Sequence, residues 1–172
     1  MKEIFCTAKA KTNTGKSVFL GLLGSSMLLV MAAIMAPKFT GIIWTVAFSF
    51  VVATIYVYNR FVGSEYRYAI TLDGGVPSFT VLLQVGKTGK IQARLDLDSI
   101  AEVRRMSGKE YRAYKSDKGI IRYPYFPTMF PETVYFVAIR SEHENADIFI
   151  EASEEFAEAL ASYAVGYASN DT

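Results

Sequence analysis

Between Ser17 and Asn59 the chain carries a single charge, Lys38. It divides the stretch into two apolar runs, VFLGLLGSSMLLVMAAIMA over 18–36 and FTGIIWTVAFSFVVATIYVY over 39–58. At about 1.5 Å of rise per residue, each forms a helix of roughly 30 Å, the thickness of a bilayer's hydrocarbon core. A soluble helix of that length shows a polar face, and neither run has one. The pair therefore reads as a transmembrane helical hairpin over 17–60, with its turn in MAPKFTG at 35–41, where Pro37 ends the first helix. A cleaved signal peptide fits less well. The first run exceeds the roughly 7–15 residues of a signal core, and cleavage after Ala36 would put Pro37 at the cut and Ile34 where a small residue is needed.

Positive charge sets the orientation. Lys2, Lys9, Lys11 and Lys16 precede the first span, Arg60 and Arg67 follow the second, and the turn has only Lys38. The positive-inside rule predicts a multi-pass protein of the cell membrane with both termini cytosolic. Gly41, Thr45, Ser49 and Ala53 recur every fourth residue on the second span, and Gly21/Ser25 and Ala32/Ala36 make similar pairs on the first. Small residues let helix backbones approach closely in lipid. The stripe suits packing inside the hairpin, a homo-oligomer, or another membrane protein.

Residues 1–16 form a cytosolic tail and residues 61–172 a cytosolic domain. Alternation of apolar and polar residues predicts strands at 65–72, 79–85, 91–98, 100–106, 120–123, 134–140 and 147–151, seven in all. Asp73-Gly74-Gly75 and GKTGK at 86–90 read as turns, and 107–119 as a polar loop. Ser153 caps a helix over about 153–168. Glu154 and Glu155 fall in its first turn, and Phe156, Leu160, Tyr163, Ala164 and Tyr167 on one face. In the tail, residues 3–11 alternate as an edge strand would. The fold expected is a membrane α-helical hairpin plus an α+β domain, a seven-stranded barrel or sandwich closed by a C-terminal helix.

The short tail, the two-span hairpin and the segments SEYRYAITLDGG (64–75), LDLDSIAEVRRM (95–106) and DIFIEASEEFAEAL (147–160) carry a resemblance. Together they resemble an uncharacterised family of small two-span bacterial membrane proteins whose cytosolic part is similar to pleckstrin-homology-like domains. The resemblance spans essentially the whole chain. It implies a PH-like barrel on a membrane anchor, and it implies no activity and no catalytic residue. The aromatic stretch from Tyr123 to Pro131 departs from the family's pattern.

No catalytic constellation is visible. One cysteine, Cys6, and one histidine, His143, cannot assemble a Cys/His metal site. Cys6 reads as a small apolar strand residue and His143, in SEHEN, as a turn residue. Asp96 and Asp98 flank Leu97 and would share the polar face of a strand. GKTGK lacks the spacing of a phosphate-binding loop. No enzyme, metal or cofactor is expected.

Charge is more informative. Residues 1–130 hold seventeen basic against eight acidic residues, and residues 131–172 one basic against nine acidic, so the net +1 conceals two opposed halves. The basic density peaks over Arg104, Arg105, Lys109, Arg112, Lys115, Lys118 and Arg122, interleaved with Tyr111, Tyr114, Tyr123, Tyr125 and Phe126. A basic surface held at the inner leaflet gains about 1 kcal/mol per Lys or Arg from anionic headgroups. The bland alternative is a solvated loop balancing the acidic C-terminal helix. Nucleic acid would attract the same residue types, but no nucleic-acid-binding module is present. YPYFPTMFP (123–131) holds three of the five prolines; such a loop can dip Tyr123, Tyr125 and Phe126 into headgroups, offer them as a rigid partner-binding patch, or cover a barrel end, and cover is the reading favoured. The sequence thus points to a membrane-anchored module binding a protein partner or anionic lipid headgroups. The alternative is an accessory subunit of a larger membrane complex assembled through the hairpin.

Overall fold

The computed structural model describes residues 3–8, 14–35, 40–72, 76–116, 118–141 and 145–168. Residues 36–39 of the expected turn at 35–41, the expected turn at 73–75, and His143 lie outside them. Two long helices, α1 (Thr14–Met35) and α2 (Thr40–Val57), are both long and apolar enough to cross a bilayer. They pack antiparallel. Phe19 of α1 meets Tyr58, just beyond α2, with ring centroids 5.3 Å apart. Near the same end, a Cβ at Gly15 would come within 3.2 Å of the Phe61 carbonyl.

The seam between the helices is not the four-residue stripe. Ser26 and Ala33 on α1, and Ala47 and Thr54 on α2, are the small and polar residues buried there, each pair seven apart. Gly41, Thr45 and Ser49 are exposed and Ala53 is half-buried. The reason is helical phase. Steps of seven residues drift only about 20°, so they hold one face, whereas steps of four walk steadily around the helix. The Ser26 and Thr54 hydroxyls donate to the Leu22 and Phe50 carbonyls at 2.8 and 2.7 Å, which lets polar residues sit in an apolar seam.

Eight strands follow the pattern with one addition. β1 (Glu3–Ala8) pairs antiparallel with β2 (Ser64–Thr71), Cys6 opposite Tyr68, so the chain enters a sheet, leaves through the hairpin and returns beside its own start. β3 (Ser78–Val85) and β4 (Thr88–Asp96) complete an antiparallel sheet in the order β1-β2-β3-β4. The β3–β4 turn needs Gly86, whose φ is +59. β4 stops at Asp96: Leu97–Ser99 forms a short 3₁₀ turn, the Leu97 N–H donates to the Pro77 carbonyl at 3.0 Å and the Ser99 hydroxyl to the Asp96 carbonyl at 2.7 Å. Asp96 and Asp98 therefore do not share a strand face; Leu97 between them is fully buried.

β5 (Ile100–Ser107), β6 (Ile121–Tyr125), β7 (Thr133–Arg140) and β8 (Asn145–Ile150) form the second sheet in the order β5-β7-β8-β6, with β6 parallel to β8. The two sheets do not close into the expected barrel. β4 and β6 face each other across a gap that the Tyr125 hydroxyl reaches over, to the Gln92 carbonyl at 3.5 Å.

The main core lies between the sheets. Tyr68, Ile70, Phe79 and Val81 meet Val137, Ile139, Ile148 and Ile150, and Phe156 and Leu160 of α4 (Glu154–Ala168) pack into the same cluster. Ser153 caps α4 as expected, its hydroxyl accepting from the Phe156 N–H at 3.3 Å. A second cluster, Met106, Phe126, Val134, Phe136, Ala138 and Phe149, sits on the outer face of the second sheet. It explains why β7 is apolar on both faces. Its cover is a helix where a loop was expected, α3 (Gly108–Ala113), packed through Tyr111 with Tyr114 just beyond. Ser107 and Glu110 form a capping box: the Glu110 carboxylate accepts from the Ser107 N–H at 2.6 Å and the Ser107 hydroxyl from the Glu110 N–H at 3.3 Å. Ser-x-x-Glu was legible in the sequence, but six residues are too few for a helical period to declare itself.

Candidate functional site

The basic stretch is divided by the alternation of a strand. On β5, Arg104 points outward with the second cluster and stacks 4.9 Å from the Phe136 ring, pairing with Glu102 at 3.3 Å. Arg105 points to the other side and pairs with Glu154 of α4 at 3.7 Å. Lys109 and Arg112 are exposed on α3, as is Lys115 beyond it. Arg104, Lys109, Arg112 and Lys115 thus belong to the side covered by α3, and Arg105 to the side of α4. Two exposed pairs of this kind contribute little stability, well under 1 kcal/mol each.

Arg122 is not a surface charge. Its guanidinium lies 4.5 Å from the centre of Tyr111 and 4.8 Å from that of Phe149, and donates to the Tyr111 and Tyr114 carbonyls at 2.9 and 3.1 Å. It holds the end of α3 against β8. Beside it, fully buried Asp147 accepts from the Tyr114 hydroxyl at 2.7 Å and from Arg140 at 2.9 Å. Burial alone would raise this carboxyl; the hydrogen bonds from Tyr114 and Arg140 outweigh it and hold the carboxyl below its ordinary range. Desolvation first, and then the bond to Asp147, push the Tyr114 hydroxyl up, so it stays a donor.

The aromatic stretch turns inward. Phe126 is buried in the second cluster, and Tyr123 and Tyr125, half-buried, stack on each other at 5.6 Å with ring planes 10° apart beside the main core. Phe130 remains largely exposed. Tyr68 fixes this stretch from the core. Its hydroxyl donates to the Tyr125 carbonyl at 2.6 Å and accepts from the Glu151 N–H at 3.2 Å, and burial raises it well above its ordinary value.

Arg60 joins the hairpin to the sheets. It sits in a π-helical turn, Tyr58–Val62, that ends α2. Its guanidinium donates to the Tyr66 hydroxyl at 2.9 Å, the Phe126 carbonyl at 3.0 Å and the Pro124 carbonyl at 2.7 Å. It also lies 5.4 Å from the rings of both Phe61 and Tyr66. Phe126 in turn meets Tyr111 of α3 edge-on at 5.3 Å. Two contacts therefore separate the end of the hairpin from the helix that carries Lys109 and Arg112.

In the sequence, Arg60 reads as a topology charge and Arg122 as part of a basic patch. Flanking aromatics marked both: Tyr58, Phe61 and Tyr66 around the first, Tyr111, Tyr114 and Tyr123 around the second. Asp147 had its own signal, a lone carboxylate in the otherwise apolar ADIFI. Among the described residues no group of three or more His, Cys, Asp or Glu side chains could hold a metal ion. Compared with known proteins, the chain matches no family model, no curated protein and no solved structure.

Proposed function

We propose that this protein is a two-span, membrane-anchored interaction module without catalysis. In this reading the hairpin spans the bilayer with both ends cytosolic, and the PH-like β-rich region is held against the inner leaflet. Lys109, Arg112 and Lys115, with Arg104, then meet anionic lipid headgroups. The observation that carries it is the short route from the hairpin to α3: Arg60 bonds the Phe126 carbonyl, and Phe126 packs on Tyr111. That route keeps basic residues close to the level where the second apolar helix ends. Each cation held near an anionic leaflet adds about 1 kcal/mol, so three or four together would restrain α3.

The test uses the full chain in nanodiscs of zwitterionic lipid, alone or mixed with phosphatidylglycerol, with hydrogen exchange read across 108–116. Phosphatidylglycerol should slow exchange there, and the triple change Lys109→Glu, Arg112→Glu, Lys115→Glu should abolish the slowing. Equal exchange in both lipids would refute the headgroup reading. A protein-binding role for the same face would then show as a crosslinked neighbour lost in the same variant.

The second reading is an accessory subunit of a membrane complex. Its support is the exposure of Gly41, Thr45 and Ser49, which leaves one face of α2 open to another helix. Gly41→Leu with Ser49→Leu should release a co-purifying membrane protein on this reading and leave headgroup binding intact on the first.

A further inference from the structure

The register of the first sheet sets one of its turns beside the end of the helical hairpin. β2 begins at Ser64, just past the π-helical turn Tyr58–Val62 that ends α2. The junction is fixed: the Gly63 N–H donates to the Tyr58 carbonyl at 2.7 Å and the Ser64 hydroxyl to the Arg60 carbonyl at 2.6 Å. β3 runs back antiparallel and ends with Val85 opposite Ser64, and β4 leaves from Thr88 opposite Val85. Neighbouring strands lie about 4.8 Å apart. The Gly86-Lys87 tip therefore stands about one strand spacing from the start of β2, on the hairpin side of the sheet. Val76, beyond the other end of β3, is more than about 20 Å farther along at about 3.3 Å per residue.

The tip has the make-up of a surface that meets headgroups. Residues 85–91, VGKTGKI, are all exposed, and a Cβ at Gly86 or Gly89 would meet nothing within 4 Å. In this turn only Gly86 takes a positive φ, the pattern of a two-residue hairpin with glycine first, so Lys87 is held out on a tight turn. No acidic residue occurs between Asp73 and Asp96, a stretch that contains Lys87, Lys90 and Arg94. Neither lysine has an ion-pair partner among the described residues. Flanking the lysines are Val85, 40% exposed, and Ile91, 56% exposed. Unpaired cations beside exposed apolar side chains suit the boundary between anionic headgroups and acyl chains, where each finds its own solvent.

We propose that the β3–β4 turn is a membrane contact in its own right. Lys87 and Lys90 hold anionic phospholipid headgroups of the leaflet from which the hairpin emerges, and Val85 enters the layer between them. The proposal rests on the reading that the hairpin spans the bilayer, and on no residue of α3. Position selects lipid over a protein partner, because the bonded junction from Arg60 to Ser64 keeps the tip at the level where the apolar helix ends. The consequence is orientation. The turn belongs to the first sheet and α3 covers the second, so two separate contacts fix the tilt of the β-rich region on the membrane.

The experiment places a bimane on Thr88→Cys or on Val76→Cys, each combined with Cys6→Ser so that the label has one site. The full chain is held in nanodiscs of phosphatidylcholine, alone or mixed with phosphatidylglycerol, with a nitroxide on some of the choline headgroups. Trp44 on α2, the one tryptophan, reports on the hairpin itself through quenching by brominated acyl chains. Nitroxide quenching at 88 should exceed that at 76 by about threefold or more, and should rise about twofold further with phosphatidylglycerol. Lys87→Glu with Lys90→Glu should abolish that rise, with hydrogen exchange across β3 unchanged as the check on folding. Lys87→Arg with Lys90→Arg should keep it, as should Lys109→Glu with Arg112→Glu on α3. With Trp44 quenched, three results would each overturn the proposal and leave the hairpin reading standing. These are a probe at 88 quenched no more than one at 76, which gives the tip to solvent or a protein, no rise with phosphatidylglycerol, and a rise that survives the glutamate pair. An unquenched Trp44 would overturn both.

Discussion

Replacing Arg60 with alanine should uncouple the β6 edge from the helical hairpin. The guanidinium makes two part-buried bonds, to the Tyr66 hydroxyl and the Phe126 carbonyl, and one exposed bond to the Pro124 carbonyl. A hydrogen bond from a charged donor contributes about 1.5 kcal/mol at the low end. The exposed bond is largely replaced by water, and ring stacking adds about 0.5 kcal/mol. The loss is therefore about 3.5 kcal/mol, felt locally, because β6 is a five-residue edge strand paired with β8. By the usual 1.4 kcal/mol per tenfold, local opening becomes about 300-fold more frequent. Native-state hydrogen exchange of the full chain in detergent micelles reads this directly. The amides of Tyr123 and Tyr125 should speed up by that factor while those of β7 stay unchanged. Arg60→Lys keeps the charge but loses the planar fork, and should recover only part of the effect. If exchange in β6 changes less than threefold in Arg60→Ala, Arg60 is not the coupling residue and the route from hairpin to α3 fails with it.

Three further outcomes follow from the packing. Asp147 has a lowered carboxyl, so its stabilising share is complete above the unfolded-state value near 3.8 and is lost as pH falls through the lower folded value. Acid titration followed by circular dichroism should show a loss of stability below about pH 4 that Asp147→Asn removes, the variant itself being weaker at neutral pH. Gly108→Ala forces a methyl onto the Pro131 backbone carbonyl and should cost on the order of 1–3 kcal/mol, measured as a lowered urea midpoint. In the hairpin, Ala47→Leu overpacks a residue 1% exposed and should weaken the helix pair by about 1–3 kcal/mol in an SDS titration, whereas Thr45→Leu on the open face should leave it unchanged.

Hydrophobic pattern makes most of the elements readable in the sequence. Strand and helix positions rest on local alternation and on one cap, Ser153, and these are properties of neighbours in the chain. The edge strand in the tail was readable for the same reason. What local pattern could not supply was partnership. α3 is hidden because half of its six residues are charged and it packs on the second cluster through Tyr111, which has meaning once that cluster exists beneath it. Arg104 and Arg105 are adjacent in the chain and belong to opposite faces of β5, and Arg122, counted with them, is enclosed by aromatic rings.

The amino-acid order by itself determined two apolar helices, a β-rich region and a closing helix, because each depends on spacing that repeats within a few residues. Only the tertiary structure decided that the sheets stay open, that Ser26, Ala33, Ala47 and Thr54 form the helix seam, and that a cavity of about 430 Å³ gathers Arg105, Thr128 and Glu132. Arg105 lies more than twenty positions before Thr128, and the two halves of the seam lie on different helices, so only long-range packing brings them within reach of one another.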